Sequence, residues 1–424
     1  MATLVRPIDY RVFDADNHYY EPLDLFERYI AREFRDRTFQ VQADADADGN
    51  RVVTFDGKPF GFVGGSGPFA RIRPGSLRKR VRGELPPDDE ASRHDGDTTY
   101  AAEPAARIEL MDRQGIEATL IFPSTGVTIE NRLRHDPELL AAHVAAFNRW
   151  IDDAWSFDYR RRIFAPAIIS LVDVDFAVAQ LEFALARGAR LVQLMPGPAT
   201  WGRSPADECY DPFWARVNES ATLVTFHLGN SGYQERYSPD WGEHPDPDGL
   251  DGPAPGRSAF QWTMFYRDRP IMDTLCNLIF NNLFGRFPNV SVASVENGSI
   301  WVPYLLRAMD NMKGMGRQGP WPGGYVEGRP SEIFKRHVFV SPHHYGEDIG
   351  EIIDLLGPSR VLFGSDFPHP EGMSDVDDYQ ERTAELVARV AHPDDEIRMM
   401  MRENGMRLLG LAPLAPTPSE PAGP

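Results

Sequence analysis

Four side chains of metal-binding type lie at the ends of three apolar segments of the sequence. Asp16 and His18 are two residues apart in DADNH, His227 ends TLVTFH, and Asp366 lies in GSDFPHPEG. Alternate residues of an extended strand share a face, so Asp16 and His18 are expected to point the same way, about 7 Å apart. Imidazole nitrogens and carboxylate oxygens together bind Zn²⁺, Mn²⁺ or Fe²⁺, and an open coordination position accepts water or a substrate oxygen. The joint occurrence of the four residues predicts a divalent-metal site.

The elements that must position these residues are short runs rich in β-branched side chains. Near-continuous apolar runs of about four to eight residues are typical of strands buried on both faces of a parallel sheet. We interpret eight such runs as strands: Tyr10–Ala15, Ala118–Pro123, Phe164–Leu171, Arg190–Met195, Thr222–His227, Val290–Val295, His337–Val340 and Arg360–Gly364. The metal-binding side chains end or follow the first, fifth and eighth runs, and the carboxyl ends of barrel strands meet at one mouth.

Stretches with helical periodicity separate the runs. The stretch from Asp136 to Phe157 begins with a typical N-cap residue followed by Pro137, and the stretch from Asp173 to Leu185 also begins with Asp. Residues 347–356 and 379–390 have the same periodicity. Strand and helix alternating eight times predict an α/β fold, a (β/α)₈ TIM-type barrel. A doubly wound open sheet is the alternative, and it is weakened because no G-x-G-x-x-G follows the first strand.

The spacing of the runs predicts one large domain, although 424 residues would ordinarily suggest two or three. We expect a single barrel over residues 1–411, with insertions at about 38–105 and 229–260, and a disordered, proline-rich tail at 412–424. The first insertion contains a predicted hairpin at Val52–Phe62, around Asp56-Gly57, and a basic cluster at Arg78–Arg82. This cluster is interpreted as a solvated loop or a subunit contact, with an anion site as the alternative.

The composition excludes several classes of function. The chain has 63 acidic and 44 basic side chains and a net charge of −19, which argues against binding nucleic acid or an anionic membrane surface. The mean hydropathy of −0.40 and the absence of a long apolar run predict no membrane span. Its two cysteines cannot form a disulfide framework and fit a reducing cytosol. We expect a cytoplasmic protein with a small-molecule substrate that forms a homodimer or a higher homo-oligomer.

The motifs at the three strand ends resemble those of the amidohydrolase-related branch of the amidohydrolase superfamily, which includes aminocarboxymuconate-semialdehyde decarboxylase. The similar segments span most of residues 10–410 outside the insertions: DADNHYYEP, MDRQGIEATLIFPS, FAPAIISLVDVDFAVAQLEFALARGARLVQLMPGP, FHLG and GSDFPHPEG. The resemblance implies one divalent metal ion held by Asp16, His18, His227 and Asp366. Many superfamily members have H-x-H where this chain has D-x-H, and the harder oxygen ligand favours Mn²⁺ or Fe²⁺ over Zn²⁺.

Further residues are candidates for catalysis or substrate binding. The related decarboxylases carry a histidine after the sixth strand, where this chain has Glu296 in VENGS. Glu296 is interpreted as an acid/base, a metal ligand or a residue that orients a ligand. One of His343 and His344, after the seventh strand, is expected to face the mouth for catalysis or substrate orientation, or to cap a helix. The predicted substrate-binding residues are Tyr19, Asn297, His369 and Trp262, with helix packing as the alternative for Trp262.

The predicted reaction is a metal-assisted hydrolysis. A bound metal ion lowers the pKa of water, and Asp366 would accept the proton as the water attacks an amide, ester, thioester or C–C bond of a small carbonyl or carboxylate compound. Non-oxidative decarboxylation of an aromatic or unsaturated acid is the first alternative, because the same ligands support it. A non-catalytic binding barrel is the second.

Overall fold

The central element of the computed structural model is a ring of parallel strands surrounded by helices. The structure describes residues 8–45, 51–55, 58–59, 72–86, 96–124, 126–199, 202–243 and 258–412. The strands are β1 (Val12–Tyr19), β2 (Gln40–Ala45), β3 (Arg51–Phe55), β4 (Lys58–Pro59), β5 (Ile116–Pro123), β6 (Ile163–Phe164), β7 (Ala167–Ile168), β8 (Leu191–Leu194), β9 (Leu223–His227), β10 (Val292–Val295) and β11 (Val338–Val340).

Helices follow or precede almost every strand of the ring. They are α1 (Leu25–Tyr29), α2 (Ser76–Val81), α3 (Pro104–Gln114), α4 (Ile129–Leu133), α5 (Pro137–Ala154), α6 (Val174–Leu185), α7 (Asp211–Ser220), α8 (Tyr233–Tyr237), α9 (Ala259–Gln261), α10 (Asp268–Phe280), α11 (Leu283–Arg286), α12 (Val302–Met315), α13 (Pro330–His337), α14 (Ile349–Leu356), α15 (Tyr379–Arg389), α16 (Asp394–Arg398) and α17 (Asn404–Leu408). Trp262–Tyr266 and Met399–Glu403 each form a π-helical turn.

The strands pair in the order expected for a barrel. β5 lies between β1 and β6, and β7 to β11 pair consecutively, all in parallel. β6 and β7 are the two halves of the predicted third strand. Residues 361–367 close the ring, because Leu362 N donates to Val340 O at 2.9 Å on one side and His18 N donates to Phe367 O at 2.7 Å on the other. The predicted (β/α)₈ barrel is confirmed.

Apolar side chains from all around the ring fill the barrel interior. They are Phe13, Ala15, Ala118, Leu120, Phe122, Phe164, Leu191, Leu223, Ala293, Val295, Phe339 and Leu362, with Met406 and Leu409 from and after α17. A Cβ atom placed on Gly405 of α17 would lie 2.0 Å from the Phe13 ring, so only glycine lets this helix pack so closely on the strands. The polar side chains that could bind a ligand therefore lie at the opposite end of the barrel, which is its mouth.

The helix starts predicted from capping residues are confirmed. The Asp136 carboxylate accepts a hydrogen bond from Leu139 N at 3.0 Å, and Asp173 accepts one from Phe176 N at 2.7 Å. The predicted helix at residue 347 begins slightly later, because Asp348 is its N-cap. Each carboxylate satisfies one of the N–H groups that a helix leaves unpaired at its start.

The insertions are described in part. In the first, β2, β3 and β4 form an antiparallel sheet, and Phe55 opposite Lys58 confirms the predicted hairpin pairing, although its turn at residues 56–57 lies outside the described residues. Residues 244–257 of the second insertion and most of the predicted tail (413–424) also lie outside them. Among the helices that the structure describes, none has both the length and the apolar character needed to cross a membrane.

Candidate metal centre

A bulge in β1 aims the first two candidate ligands into the barrel mouth. From Asp14 to Asn17, β1 advances by three residues, whereas β5 advances by only two, from Thr119 to Ile121. The extra residue breaks the strict alternation of side chains, as β-bulges do beside many active sites. Asp14 therefore points outward to α15, where Tyr379 Oη donates to it at 2.6 Å, whereas Asp16 and His18 point inward.

Five buried side chains meet at the mouth, and we call them the inner cluster: Asp16, His18, His227, Glu296 and Asp366. His18 Nε2 lies 3.3 Å from Asp16 Oδ1, 3.4 Å from Asp366 Oδ1 and 3.9 Å from Glu296 Oε2. His227 Nε2 lies 3.4 Å from Asp16 Oδ1 and 3.2 Å from Glu296 Oε2. The structure thus brings together all four predicted metal ligands and adds Glu296 to them.

Both imidazole rings present Nε2 to the carboxylates. His227 Nδ1 lies 2.8 Å from Leu228 O, and because a carbonyl only accepts, Nδ1 carries the hydrogen and Nε2 of the neutral ring has a lone pair. His18 is 1% exposed, and neither of its ring nitrogens has a hydrogen-bond partner in the described part of the chain. A buried polar atom without a partner costs about 1–3 kcal/mol unless a ligand satisfies it.

The backbone is strained at two of the acidic residues. Glu296 and Asp366 have φ angles of 59° and 57°, in the left-handed region that non-glycine residues seldom adopt. A Cβ atom on Gly364 would lie 2.6 Å from Asp16 Cβ, so a glycine must precede the turn that carries Asp366. Such strain costs on the order of 1–3 kcal/mol per residue and persists where the surroundings hold a functional geometry.

Burial and mutual repulsion perturb the carboxyl groups of the inner cluster. Burial, and then the negative charges of Asp366 and Asp16, raise the pKa of Glu296 well above its usual value. Burial, and then Glu371 and Asp16, raise the pKa of Asp366 in the same way. Burial also acts to raise the pKa of Asp16, but contacts with His18 and His227 outweigh it and hold the pKa low. Burial lowers the pKa of His18, which favours the neutral, metal-binding ring.

A second group of buried polar residues supports β1 from outside, and we call it the outer network: Asp14, Asn17, Arg107, Ser365 and Tyr379. Asp14 accepts five hydrogen bonds, including those from Ser365 Oγ and Tyr379 Oη, both at 2.6 Å. Arg107, on α3, donates to Asn17 Oδ1 at 2.8 Å and to His18 O, and is 0% exposed. Sequence reasoning missed Arg107, because nothing local marks an arginine whose acceptors lie on another element.

The loop after Asp366 adds a histidine and a carboxylate to the mouth. His369 Nδ1 lies 2.7 Å from Asp366 Oδ1, and its Nε2 lies 3.1 Å from Ser124 Oγ. Ser124 Oγ donates to a main-chain carbonyl, so it accepts from His369 Nε2 and fixes the ring. Glu371 offers a carboxylate oxygen within 4.8 Å of those of Glu296 and Asp366. His369 was predicted as a substrate contact, whereas Ser124 and Glu371 were missed although Glu371 lies in the GSDFPHPEG motif.

The histidine pair after β11 lies along the wall of the mouth. Glu347 accepts hydrogen bonds from His343 N at 2.9 Å and from Ser299 Oγ at 2.6 Å, which ties the loop after β11 to the turn that carries Glu296. A Cβ atom on Gly298 would lie 2.8 Å from His343 Cδ2, so His343 lies directly against this turn. Burial, and then the positive charges of His343 and Arg78, lower the pKa of His344 to about 3.

The other three predicted substrate-binding residues, Tyr19, Asn297 and Trp262, each contact other residues of the protein. The Tyr19 ring faces away from the mouth and packs on Trp150 and Trp155, at centroid distances of 5.2 and 5.3 Å, because the residue after an inward-facing His18 must point outward. The Asn297 amide donates to main-chain carbonyls of Phe226 and Val295 and so joins the ends of two strands. Trp262 packs edge-on against Tyr266 at 4.7 Å.

The inner cluster fits a divalent cation. Asp16, His18, His227 and Glu296 each place one ligand atom within 4.8 Å of the others, and His18, Asp366 and His369 form an overlapping group. The cluster combines crowded carboxylates with two buried imidazole lone pairs, and one cation at its centre would neutralise the first and pair the second. The residues can therefore hold a single metal ion, with at least one coordination position left for water or substrate.

Comparisons with known proteins bear on the family to which this chain belongs. The amidohydrolase family model matches residues 14–411. An amidohydrolase of Mycobacterium avium subsp. paratuberculosis K-10 is 33% identical, with a TM-score of 0.80, over 95% of this chain and 100% of that one. No curated protein matches the chain.

Two solved decarboxylases share the fold at 14% identity. The 2,6-dihydroxybenzoate decarboxylase from Rhizobium has a TM-score of 0.54 over 95% of this chain and 99% of its own. The 5-carboxyvanillate decarboxylase of Novosphingobium aromaticivorans, solved with manganese and 4-hydroxy-3-methoxy-5-nitrobenzoic acid, has a TM-score of 0.59 over 95% and 97%. With a family match across nearly the whole chain, this protein belongs to the amidohydrolase family.

Proposed function

We propose that this protein is a metal-dependent hydrolase that uses one divalent metal ion to cleave an amide, ester, thioester or C–C bond of a small carbonyl compound. The observation that carries the proposal is the inner cluster, in which Asp16, His18, His227 and Glu296 place ligand atoms within 4.8 Å of one another and Asp366 Oδ1 lies 3.4 Å from His18 Nε2. Asp16, His18, His227 and Asp366 would hold the ion, which we propose to be Mn²⁺, Fe²⁺ or Zn²⁺. When bound, it would polarise a substrate carbonyl and lower the pKa of water.

The neighbouring residues supply the proton transfers. Asp366 accepts the proton of the attacking water, and His369, at 2.7 Å, stabilises the carboxyl group in either protonation state. Glu296, on the side of His227, orients the water or returns a proton to the leaving group. His343, against the Gly298 turn, is placed to contact the part of a substrate that extends beyond the cluster.

The decisive experiment combines metal analysis with turnover of a panel of aryl esters, acyl thioesters and amides. Asp366→Asn should lower kcat by about 10²–10⁴-fold and retain bound metal, because the amide oxygen can still coordinate. Asp377→Asn, a change of the same kind at an exposed position of the same loop, should leave kcat unchanged. If the purified protein holds no stoichiometric metal and added Mn²⁺, Fe²⁺ or Zn²⁺ produces no turnover, the proposal is wrong.

Decarboxylation is a second candidate, favoured by Glu296. Glu296 lies at the mouth with Oε2 3.2 Å from His227 Nε2, where its carboxyl group could deliver a proton to the carbon that loses CO₂. Two proteins of the same architecture are decarboxylases of hydroxybenzoates. Release of CO₂ from 2,6-dihydroxybenzoate or 5-carboxyvanillate, with no new carboxylate formed, would select this candidate. Formation of a carboxylate from an ester or thioester would select hydrolysis.

A further inference from the structure

The basic helix of the first insertion packs on the barrel mouth. In α2, Gly75 N at its start donates to His369 O at 3.0 Å, and Leu77 N donates to Pro370 O at 2.9 Å. The start of the helix that carries the basic cluster is therefore held against the loop that carries Asp366. This places the side chains of α2 within reach of a substrate.

Several cations of this segment form ion pairs with acids, and Arg78 differs from these. Arg73 and Lys79 form ion pairs with Asp375, and Arg82 lies 3.8 Å from Glu385. Arg78 has no ion pair, and its Nε is buried without a hydrogen-bond partner in the described part of the chain. Its guanidinium instead stacks on the Tyr345 ring, with Cζ 3.3 Å from the ring centroid. Stacking occupies the face of the guanidinium and leaves its N–H edge available.

Arg78 is connected to the inner cluster through two rings. Tyr345 is stacked with His343, at 5.7 Å between centroids and 28° between planes. His343 in turn lies against the Gly298 turn, two residues after Glu296. The two stacked rings thus connect Arg78 to the turn that carries Glu296.

The charge pattern of this wall differs from that of the whole molecule. The chain carries a net charge of −19, and the floor of the mouth is lined by carboxylates. Arg78, stacked on Tyr345, and Arg389, which donates to His344 O at 2.9 Å, form a positive wall beside that floor. A guanidinium edge matches a planar carboxylate in two parallel hydrogen bonds, whereas the nearby acids would repel the higher charge of a phosphate.

We propose that Arg78, stacked on Tyr345, forms a binding site for a carboxylate of the substrate that lies away from the reacting carbonyl. The inference rests on the proposed function for the location of the reacting group. It narrows the substrate class to small acids whose free carboxylate sits on the far side of the scissile or reacting bond. Arg78 is a specificity-determining residue in this account, since its carboxylate contact selects such acids over neutral analogues.

Calorimetric binding of two probes to the metal-loaded protein tests the site without requiring turnover. Benzoate can occupy the metal with its single carboxylate, whereas isophthalate offers a second carboxylate to the wall. Isophthalate should bind at least about 10-fold more tightly than benzoate, the range expected for one charge-assisted contact. Arg78→Met should remove this difference and leave benzoate binding unchanged, and Arg78→Lys, which keeps the charge but loses the paired N–H edge, should reduce it if Arg78→Met fails to fold.

Arg82→Met is the matched control, because it removes the same charge from the next turn of α2 without facing Tyr345. It should change isophthalate affinity by less than about 3-fold, the effect of a partly screened surface charge. Equal affinity of the two probes in the wild type, or an equal loss of both in Arg78→Met, would overturn the proposal. Failure of the hydrolase assay with the probe difference intact would overturn the proposed reaction and leave this site in place.

Discussion

The inner cluster and the outer network are two groups of buried polar residues on opposite faces of the same strand, and they differ in how well their hydrogen bonds are satisfied. In the outer network, Asp14 alone accepts five hydrogen bonds and Arg107 donates three. In the inner cluster, neither ring nitrogen of His18 has a hydrogen-bond partner among the described residues, and three carboxylates lie close together.

This difference separates support from chemistry. A saturated network contributes rigidity, and its members have no free valence for a ligand. A buried cluster whose hydrogen-bonding groups are not all satisfied persists because the surrounding fold holds its geometry. Its free lone pairs are available to a cation. Two residues along one strand can thus have opposite roles, since the bulge turns Asp14 toward the helices and Asp16 toward the mouth.

The largest effect should come from removing an unsatisfied ligand. His18→Ala should lower bound metal below about one tenth of the wild-type stoichiometry and abolish turnover, because one of two imidazole ligands is lost. The folded structure should persist, since His18 makes no hydrogen bond through its ring. Elemental analysis and circular dichroism measure the two outcomes, with His135→Ala, at an exposed position, as the control. Full metal content in His18→Ala would contradict the inference that the inner cluster, unlike the outer network, binds a metal ion.

Removing a member of the saturated network should instead reduce stability. Arg107→Met leaves the carbonyls of Tyr100 and His18 and the Asn17 amide oxygen without their donor, which should lower the free energy of unfolding by about 3–5 kcal/mol. Arg113→Met, at an exposed position of the same helix, should change it by less than about 0.5 kcal/mol. Denaturant unfolding compares the two, and similar values would contradict a supporting role for Arg107.

Glu130 is an intermediate case, a buried carboxyl that accepts a hydrogen bond from Ser170 Oγ at 2.8 Å. Burial raises its pKa from 4.5 to about 7, so the folded protein holds this proton more tightly than the unfolded chain. Stability should therefore fall as the pH rises from about 4.5 to 7, by on the order of 3 kcal/mol. Glu130→Gln should remove this decline, while exposed Glu138→Gln should keep it. Identical pH profiles for the two variants would refute the assignment.

The smallest effect should come from a buried hydroxyl outside both groups. Tyr19 Oη is buried without a hydrogen-bond partner among the described residues, and its ring packs on Trp150 and Trp155. Tyr19→Phe should change the free energy of unfolding by no more than about 0.5 kcal/mol and leave KM unchanged. Steady-state kinetics and thermal unfolding decide this, and a raised KM would support the substrate contact that the sequence suggested.

Local patterns allowed most of the barrel to be predicted. The eight apolar runs correspond to the ring, because burial on both faces leaves a near-continuous signal, and Asp136 and Asp173 cap helices as expected because capping is a contact over three residues. The meeting of the four predicted metal ligands at the mouth could be predicted because the carboxyl ends of barrel strands converge. Two further local signals were Pro137, which is the first residue of α5, and the position of Asp366 after the eighth run.

The rest of the site depends on contacts that no local pattern records. The bulge between Asp14 and Asn17 is a matter of register against β5, and the acceptors of Arg107 come from two other segments. Arg78 could not be told from its neighbours in the basic cluster, because only the docking of α2 shows which side chain lacks an acid. The substrate contact of Tyr19 stays a prediction, although alternation after an inward His18 points its ring outward onto Trp150 and Trp155.

The most direct test of the account is an anomalous-scattering map from crystals loaded with Mn²⁺. The account predicts one strong peak at the mouth, about 2.0–2.2 Å from Nε2 of both His18 and His227 and from carboxylate oxygens of Asp16 and Asp366. A peak elsewhere would contradict the assignment of the inner cluster as a metal centre. The absence of any peak from crystals soaked in excess Mn²⁺ would contradict it equally.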